Sequence, residues 1–218
     1  MPALVALQVS AQNIVTYTTT YSTLGEPGDT YNANAGWLVN GSASPPQPYV
    51  GEAFSFTPTV SGYLGQIDLV LSAVNSTPAS DFANISLTGN NNVTGLPFGL
   101  LERFHNVGAT GPFGLNNPLT TLDSSAHPFL QAGNTYWLEV EPATTTSSIV
   151  VNVNSLGLTG NQCQEFAFSS WGASGNQSSF AFDVEVTPVP EPGMVSLFVL
   201  GGLLFFARGW FGRAAGKA

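Results

Sequence analysis

"SFAFDVEV", residues 179 to 186, alternates apolar and polar side chains with a period of two. One face of this stretch is apolar, and its members are Phe180, Phe182, Val184 and Val186. The other face is small or charged, and its members are Ala181, Asp183 and Glu185. A period of two is typical of a β-strand with one buried face. The stretch therefore predicts a strand whose phenylalanines and valines point into a core.

Similar runs recur along the chain, separated by clusters of Gly, Pro and Asn. The runs include "QIDLVLSAV" (66–74), "TYWLEVE" (135–141) and "EFAFSSW" (165–171), and the separators include "NGSASPPQP" (40–48) and "TGNNNVTGLPFG" (88–99). The alternation predicts these inward positions: Ile67, Leu69, Leu71, Ala73, Phe166 and Phe168. It also places Tyr136 and Trp137 on opposite faces, so that one of them is buried. The pattern predicts an all-β chain, an antiparallel β-sandwich of jelly-roll-like type with roughly nine or ten strands over residues 12–187.

Charge is divided unevenly between the body of the chain and its end. The net charge is −9, and all 13 acidic residues lie at or before Glu191. Of the 4 basic residues, Arg103 alone precedes Glu191. An acidic body repels phosphate backbones, so we exclude a nucleic-acid partner. The single cysteine, Cys163, cannot form an intramolecular disulfide, and we expect it to be buried and unreactive.

"VPEPGMVSLFVLGGLLFFARGWFGR", residues 189 to 213, differs from everything before it. A proline-rich linker (188–193) leads into residues 194–207, which are almost wholly apolar. As a helix, the 14 residues of this run are ~21 Å long. A usual membrane span has ~20 residues, so the run is short for one. It is apolar on all sides, however, and Arg208 and Arg213 follow it as a positive stop. Residues 194–218 therefore predict one C-terminal transmembrane helix with a basic tail, with a buried core helix as the alternative.

Residues 1–11 look like the end of a secretion signal. Positions 3–7 are apolar, and Val9, Ser10 and Ala11 form a small-residue cleavage pattern. The basic n-region of such a signal is missing, so we interpret this segment as the remnant of a signal peptide that starts further upstream.

The tail closely resembles the PEP-CTERM sorting signal of Gram-negative bacteria that produce exopolysaccharide. The three parts of that signal occur in order, as the motif Val189, Pro190, Glu191 and Pro192, the apolar run 194–207, and the basic end with Arg208 and Arg213. The resemblance implies recognition by exosortase, a membrane cysteine transpeptidase that would cleave near the motif. The body would be anchored transiently in the inner membrane and then transferred or released to the cell surface or extracellular matrix, in connection with exopolysaccharide or biofilm.

The body resembles the choice-of-anchor R type of extracellular domain. The likeness is carried by "GDTYNANAGWLVNG" (28–41), "EAFSFTPTVSGYLGQIDLVLS" (52–72), "GLPFGLLERFHNVG" (95–108) and "HPFLQAGNTYWLEVEP" (127–142). The chain departs from that type in the Asn-rich turn before "GLPFG" and in "NQCQEF" (161–166). The resemblance implies a secreted β-sandwich that has no established activity.

No arrangement of residues in the sequence predicts catalysis. His127 follows Ser124 and Ser125, but "SSAHPF" contains no G-x-S-x-G elbow, and the second histidine, His105, is distant. The carboxylate pairs Glu139/Glu141 and Asp183/Glu185 each occupy one side of a strand, and we interpret that side as facing solvent. We therefore assign no catalytic residue. The sequence shows no cluster of metal ligands, so we assign no cofactor; calcium in a sandwich loop is the alternative, with Asp29 in "EPGDTYN" as one candidate ligand.

Aromatic side chains in or near predicted turns are candidates for stacking on sugar rings: Trp37, Tyr49, Tyr63 and Trp171. Our leading hypothesis is an exported, non-enzymatic protein of the cell surface or extracellular matrix. The alternative is a carbohydrate-binding module that recognises exopolysaccharide, and a hydrolase comes third.

Overall fold

The computed structural model describes residues 16–25, 29–41, 49–74, 81–166 and 170–189. Within these ranges the chain is all-β and contains no helix. The signal remnant (1–11), the motif residues 190–192 and the apolar segment with Arg208 and Arg213 lie outside them. In the ranges that the structure describes, no helix is long and apolar enough to cross a membrane.

Fifteen strands lie within the described ranges, and the internal contacts of the chain divide between Thr187 and Pro188, at the end of the last of these strands. Their bounds are β1 Thr18–Ser22, β2 Tyr31–Asn40, β3 Val50–Phe56, β4 Gly62–Leu69, β5 Leu71–Ala73, β6 Phe82–Asn90, β7 Pro97–Gly108, β8 Gly111–Pro112, β9 Thr120–Asp123, β10 Phe129–Leu130, β11 Tyr136–Pro142, β12 Ser148–Asn154, β13 Thr159–Phe166, β14 Trp171–Ser178 and β15 Phe182–Pro188.

Two sheets pack against each other in a sandwich-like arrangement. The smaller sheet has the order β1-β15-β4-β10, with β9 also paired to β4. The larger sheet has the order β7-β6-β11-β3-β2-β12-β5-β8, and the hairpin β13–β14 joins it along β3. The ladders are antiparallel, except that β5 and β8 run parallel. The all-β sandwich class predicted from the alternation is confirmed, whereas the larger sheet is mixed rather than purely antiparallel.

Four aromatic rings join the two sheets at the centre of the core. Phe56 of the larger sheet meets Phe182 of the smaller sheet edge-on, with ring centroids 5.8 Å apart. Tyr21 lies 5.4 Å from Phe56 and 5.2 Å from Phe182, and Tyr136 lies 5.9 Å from Phe56. Aromatic pairs at these separations and tilts are favourable beyond the area that they bury. The inward residues predicted for 179–186, from Phe180 to Val186, are all fully buried, as the alternation required.

The run 66–74 forms two strands rather than one, which is one reason why the fold has more strands than predicted. Ile67 and Leu69 lie on β4 in the smaller sheet, whereas Leu71 and Ala73 lie on β5 in the larger sheet. All four are buried, so the alternation is correct on both sides of the break. Val70, at the break, is also fully buried, and it clusters with Leu24 and Ala181. A strand that switches sheets in this way makes a corner of the sandwich.

Several predicted side-chain directions are wrong because the sandwich has further small clusters outside its main core. Ala181, predicted to face solvent, is fully buried beside Val70. Trp137 and Tyr136 are both buried, because Trp137 packs with Ala53 and Cys163 on the outer face of the larger sheet. Phe166, predicted to point inward, is 50% exposed at the end of β13, and Phe168 lies outside the described residues.

Cys163 is buried as predicted, with 1% of its surface exposed. Burial, and then the charge of Glu139, raise the pKa of its thiol to about 11. A thiol with so high a pKa carries almost no reactive thiolate at neutral pH.

Candidate functional site

Two of the four predicted stacking residues are largely covered, since Trp37 is partly buried against the core and Tyr49 is buried. Trp37 lies within β2, where its indole Nε1 donates a hydrogen bond of 2.9 Å to the carbonyl oxygen of Ser178 and its ring lies 6.3 Å from that of Phe54. Tyr49 is only 5% exposed, so its ring offers no open face to a sugar.

Tyr63 is exposed, and the fold gives it an aromatic neighbour that sequence reasoning missed. It lies opposite Phe129 in the β4–β10 ladder, with ring centroids 5.5 Å apart and planes at 65°. Their side chains are 50% and 46% exposed. Tyr17, 37% exposed, covers Gly65 two positions along β4, where a Cβ atom would lie 2.2 Å from the tyrosine ring. Tyr17, Tyr63 and Phe129 are called the aromatic strip below.

Tyr49 and Trp171 both lie near two carboxylates, Glu141 and Glu165, on the outer face of the larger sheet. The Tyr49 hydroxyl lies 3.4 Å from Glu141 Oε1 and 3.3 Å from Glu165 Oε2. Arg103, the only basic residue in the described ranges, forms an ion pair with the other oxygen of Glu141. Burial, followed by the charge of Glu141, raises the pKa of Glu165. Trp171 and Glu141 both lie within 3.6 Å of the place where a Cβ atom of Gly51 would be, so this face combines aromatic rings with an excess of negative charge.

Glu139 is the member of this acidic face that departs most from expectation. It was predicted to face solvent, but only 8% of it is exposed, and Thr88 Oγ1 donates to its Oε1 at 2.7 Å. Burial, reinforced by the charge of Glu141, raises the pKa of Glu139 to about 7. Opposite it in the β6–β11 ladder lies Ser86, whose buried hydroxyl has no partner among the described residues. Glu139 and Glu141 lie on the same side of β11, yet neither of the cavities described below is lined by Glu139.

The Ser124–His127 segment is a structural turn organised by Glu102. Ser124 Oγ donates to Glu102 Oε2 at 2.5 Å, and the amides of Ser125 and Ala126 donate to Oε1 at 2.7 and 3.0 Å. Burial alone would raise the pKa of Glu102, but these hydrogen bonds outweigh it and lower the pKa. The His127 ring Nδ1 lies 3.0 Å from the carbonyl oxygen of Leu64 and not against the serine hydroxyl. The serine and histidine are therefore used in packing the turn.

Asp29, the candidate calcium ligand, adopts a left-handed backbone with φ 52° and lines a cavity of about 570 Å³ with Thr30, Tyr31 and Asn117. Asp183 and Glu185, predicted to face solvent, are partly buried on β15. Burial raises the pKa of Asp183, and the charges of Asp29 and Asp68 raise it further. Across the residues that the structure describes, no group of three or more His, Cys, Asp or Glu is placed to hold a metal ion.

A second cavity, of about 360 Å³, opens between the β6–β7 turn (91–96) and the β10–β11 turn (131–135). It is called the asparagine cleft below, because Asn90, Asn92 and Asn134 line it together with Gly89, Gly133, Thr135 and Tyr136. None of these residues carries a charge. The Asn-rich turn is visible in the sequence, but the second turn lies more than 30 positions further along, so the cleft is a product of the fold.

No protein-family model matches the chain, and no curated protein matches it. The function proposed below therefore rests on the residues and on their arrangement.

Proposed function

We propose that the protein is an exported, non-enzymatic component of the cell surface or extracellular matrix, sorted by a PEP-CTERM signal. The observation that carries the proposal is the order of elements at the end of the chain. The last strand, β15, ends at Pro188, and Val189, the first residue of the motif, follows at once and is 40% exposed. A motif that starts where the folded body stops is accessible to a processing enzyme without unfolding of the body.

Each part of the chain has a role in this proposal. Residues 194–218 form a transmembrane helix, and Arg208 and Arg213 retain the tail in the cytoplasm. The jelly-roll-like body, residues 12–187, lies outside the inner membrane until an exosortase-type enzyme cuts near Pro190, Glu191 and Pro192. The mature body then joins the surface or the exopolysaccharide matrix of a Gram-negative bacterium.

Replacement of Pro190, Glu191 and Pro192 by alanine is expected to stop processing. Full-length protein should then accumulate in the membrane fraction, because the apolar helix is retained while the recognised motif is lost. Immunoblots of membrane and extracellular fractions, in a host with an exosortase, measure this outcome. Thr187→Ala, which changes an exposed residue two positions before the motif, is the matched control and should be processed normally. Unchanged processing of the triple variant would contradict the sorting proposal.

The second candidate function, a carbohydrate-binding module, is favoured by the aromatic strip. Half-exposed rings on one sheet face offer the apolar surface on which the C–H faces of sugar rings stack. This candidate is compatible with the first, since an exported body can bind the matrix that it joins.

Tyr63→Ala combined with Phe129→Ala is expected to weaken retention of the protein on exopolysaccharide at least fivefold. Co-sedimentation of the full-length protein with purified exopolysaccharide measures the effect. Phe113→Ala, which removes a 40% exposed ring elsewhere, is the matched control and should bind like the unmodified protein. Equal retention of all three proteins would exclude the strip as a binding surface.

A further inference from the structure

A buried tryptophan orients the amide groups of the asparagine cleft. Trp137 is 2% exposed, and its indole Nε1 donates a hydrogen bond of 2.9 Å to Asn90 Oδ1. Because the indole is only a donor, it fixes which end of the Asn90 amide is oxygen. The Nδ2 of Asn90 then donates to Asn92 Oδ1 at 3.2 Å, so the orientation of the second amide follows from the first.

Both turns that form the cleft are held in place by hydrogen bonds of their own. Asn91 Oδ1 accepts from the amide of Val93 at 2.9 Å, which closes the first turn. In the second turn, the amide of Ala132 donates to Ser61 Oγ at 2.9 Å and that of Gly133 donates to the carbonyl of Pro58 at 3.0 Å. A site held in this way before binding loses little conformational entropy when a ligand enters.

The cleft retains hydrogen-bonding groups that the protein does not use. Among the described residues, Asn92 Nδ2 and Asn134 Oδ1 have no partner. Gly133 has φ 80° and nothing within 4 Å of the place where a Cβ would lie, so the backbone there is uncovered. The cleft therefore presents amide donors and acceptors side by side, without a charge among its lining residues.

An exposed aromatic residue lies on β7, across the ladder from a glycine that lines the same cleft. Phe98 is the cross-strand neighbour of Gly89, which lines the cavity, and 67% of Phe98 is exposed. Gly99, the next residue, has φ 74° and lies where the β6–β7 register shifts. A Cβ atom added at Gly89 would meet only the carbonyl oxygens of Phe98 and Gly99, so the phenylalanine ring does not pack on Gly89 and remains open to a ligand.

We propose that the asparagine cleft binds a neutral glycan segment, with Asn92 and Asn134 bonding its hydroxyls and Phe98 packing on a sugar ring. Each sugar hydroxyl is both donor and acceptor, which matches an amide that presents both. The volume of about 360 Å³ is at the low end of the ~300–1,000 Å³ typical of ligand sites and fits a short stretch of chain. An uncharged lining favours neutral over acidic sugars. The inference deepens the carbohydrate-binding candidate and is independent of sorting.

The test is a binding titration of the full-length protein in a detergent without sugar head groups. The probes are cellohexaose, mannohexaose and galactohexaose, with oligogalacturonate as the acidic counterpart. Binding of at least one neutral oligosaccharide is expected, accompanied by a change in tryptophan fluorescence because Trp137 is bonded to Asn90. Asn92→Ala with Asn134→Ala should weaken binding at least tenfold, and Phe98→Ala should do the same.

Matched controls separate the cleft from the rest of the surface. Asn176→Ala removes an exposed amide on β14, and Leu115→Ala removes a 58% exposed apolar side chain, and both should bind normally. Binding that depends on Tyr63 and Phe129 but not on the cleft residues would overturn this inference and leave the carbohydrate-binding function standing. Binding of no glycan, or of oligogalacturonate alone, would overturn the inference. Capture of an unrelated peptide by the cleft with the same dependence on Asn92 and Asn134 would also overturn it.

Discussion

The free energy of unfolding is expected to fall as the pH rises from 5 to 8. The two groups with the largest effect are Glu52, 2% exposed, and Glu139, 8% exposed. Burial raises the pKa of Glu52 to about 7, although Gln162 and Gln164 donate hydrogen bonds of 2.6 and 2.7 Å to its oxygens. The pKa of Glu139 is likewise raised to about 7.

The direction of this pH dependence follows from the number of protons that the folded and unfolded states bind. Between pH 4.5 and 7 the folded protein retains protons on Glu52 and Glu139 that the unfolded chain has released. Stability is therefore highest at the acid end of this window and is lost as the pH rises through 7. At about 1.36 kcal/mol per pKa unit, each group loses roughly 2 to 3 kcal/mol of stabilising free energy between pH 5 and pH 8. Glu102, whose pKa is lowered, acts in the opposite sense and limits stability at still lower pH.

Denaturant titrations at pH 5, 6, 7 and 8 measure this dependence. Glu52→Gln and Glu139→Gln together should flatten it, because neither amide can ionise. Asp123→Asn, at an exposed position, should retain the slope. A stability that rises from pH 5 to 8 would show that these two carboxyls are not buried as the structure has them.

Phe56→Ala is expected to cost about 3 to 5 kcal/mol of unfolding free energy, the usual range for a fully buried phenylalanine. The ring is 2% exposed and contacts Tyr21, Tyr136 and Phe182, so its loss leaves a cavity between the two sheets. The cost can approach the whole stability of a domain, so the transition should shift to much lower denaturant.

The control is Phe98→Ala, which removes the same ring from a position that is 67% exposed. Its effect should stay within about 0.5 kcal/mol, as for other surface changes. Chemical denaturation of both variants at one pH makes the comparison. Equal losses in the two variants would mean that Phe56 does not join the sheets.

The fold class follows from local sequence, because an alternation with a period of two identifies the buried side chains of each strand. The inward positions Phe180, Phe182, Val184 and Val186, and the four positions around Val70, were predicted correctly for this reason. The corner at Val70 was not predicted, since an unbroken alternation gives no sign that the chain changes sheets. Phe166 shows a related limit: whether the end of β13 is covered depends on elements that are distant in the sequence.

The candidate sites were predicted less well, because they combine residues from separate turns and strands. Tyr63 was identified, but Phe129 becomes its neighbour only through the β4–β10 ladder. The alternation around Glu139 predicts a solvent-facing position. Its burial results from the cluster of Trp137, Ala53 and Cys163 beside it. Trp137 and Asn90 are 47 positions apart, so their hydrogen bond has no local signature.

The position of Arg103, which forms an ion pair with Glu141, has a consequence for proteolysis. Trypsin cleaves after lysine or arginine, and Arg103 is the one such residue before position 208. It lies in β7, opposite Ser86 in the ladder with β6, so the scissile bond is inaccessible until this edge strand opens. Cutting at this single bond therefore reports the local opening of β7, and the described residues offer no other site to proteases that require lysine or arginine.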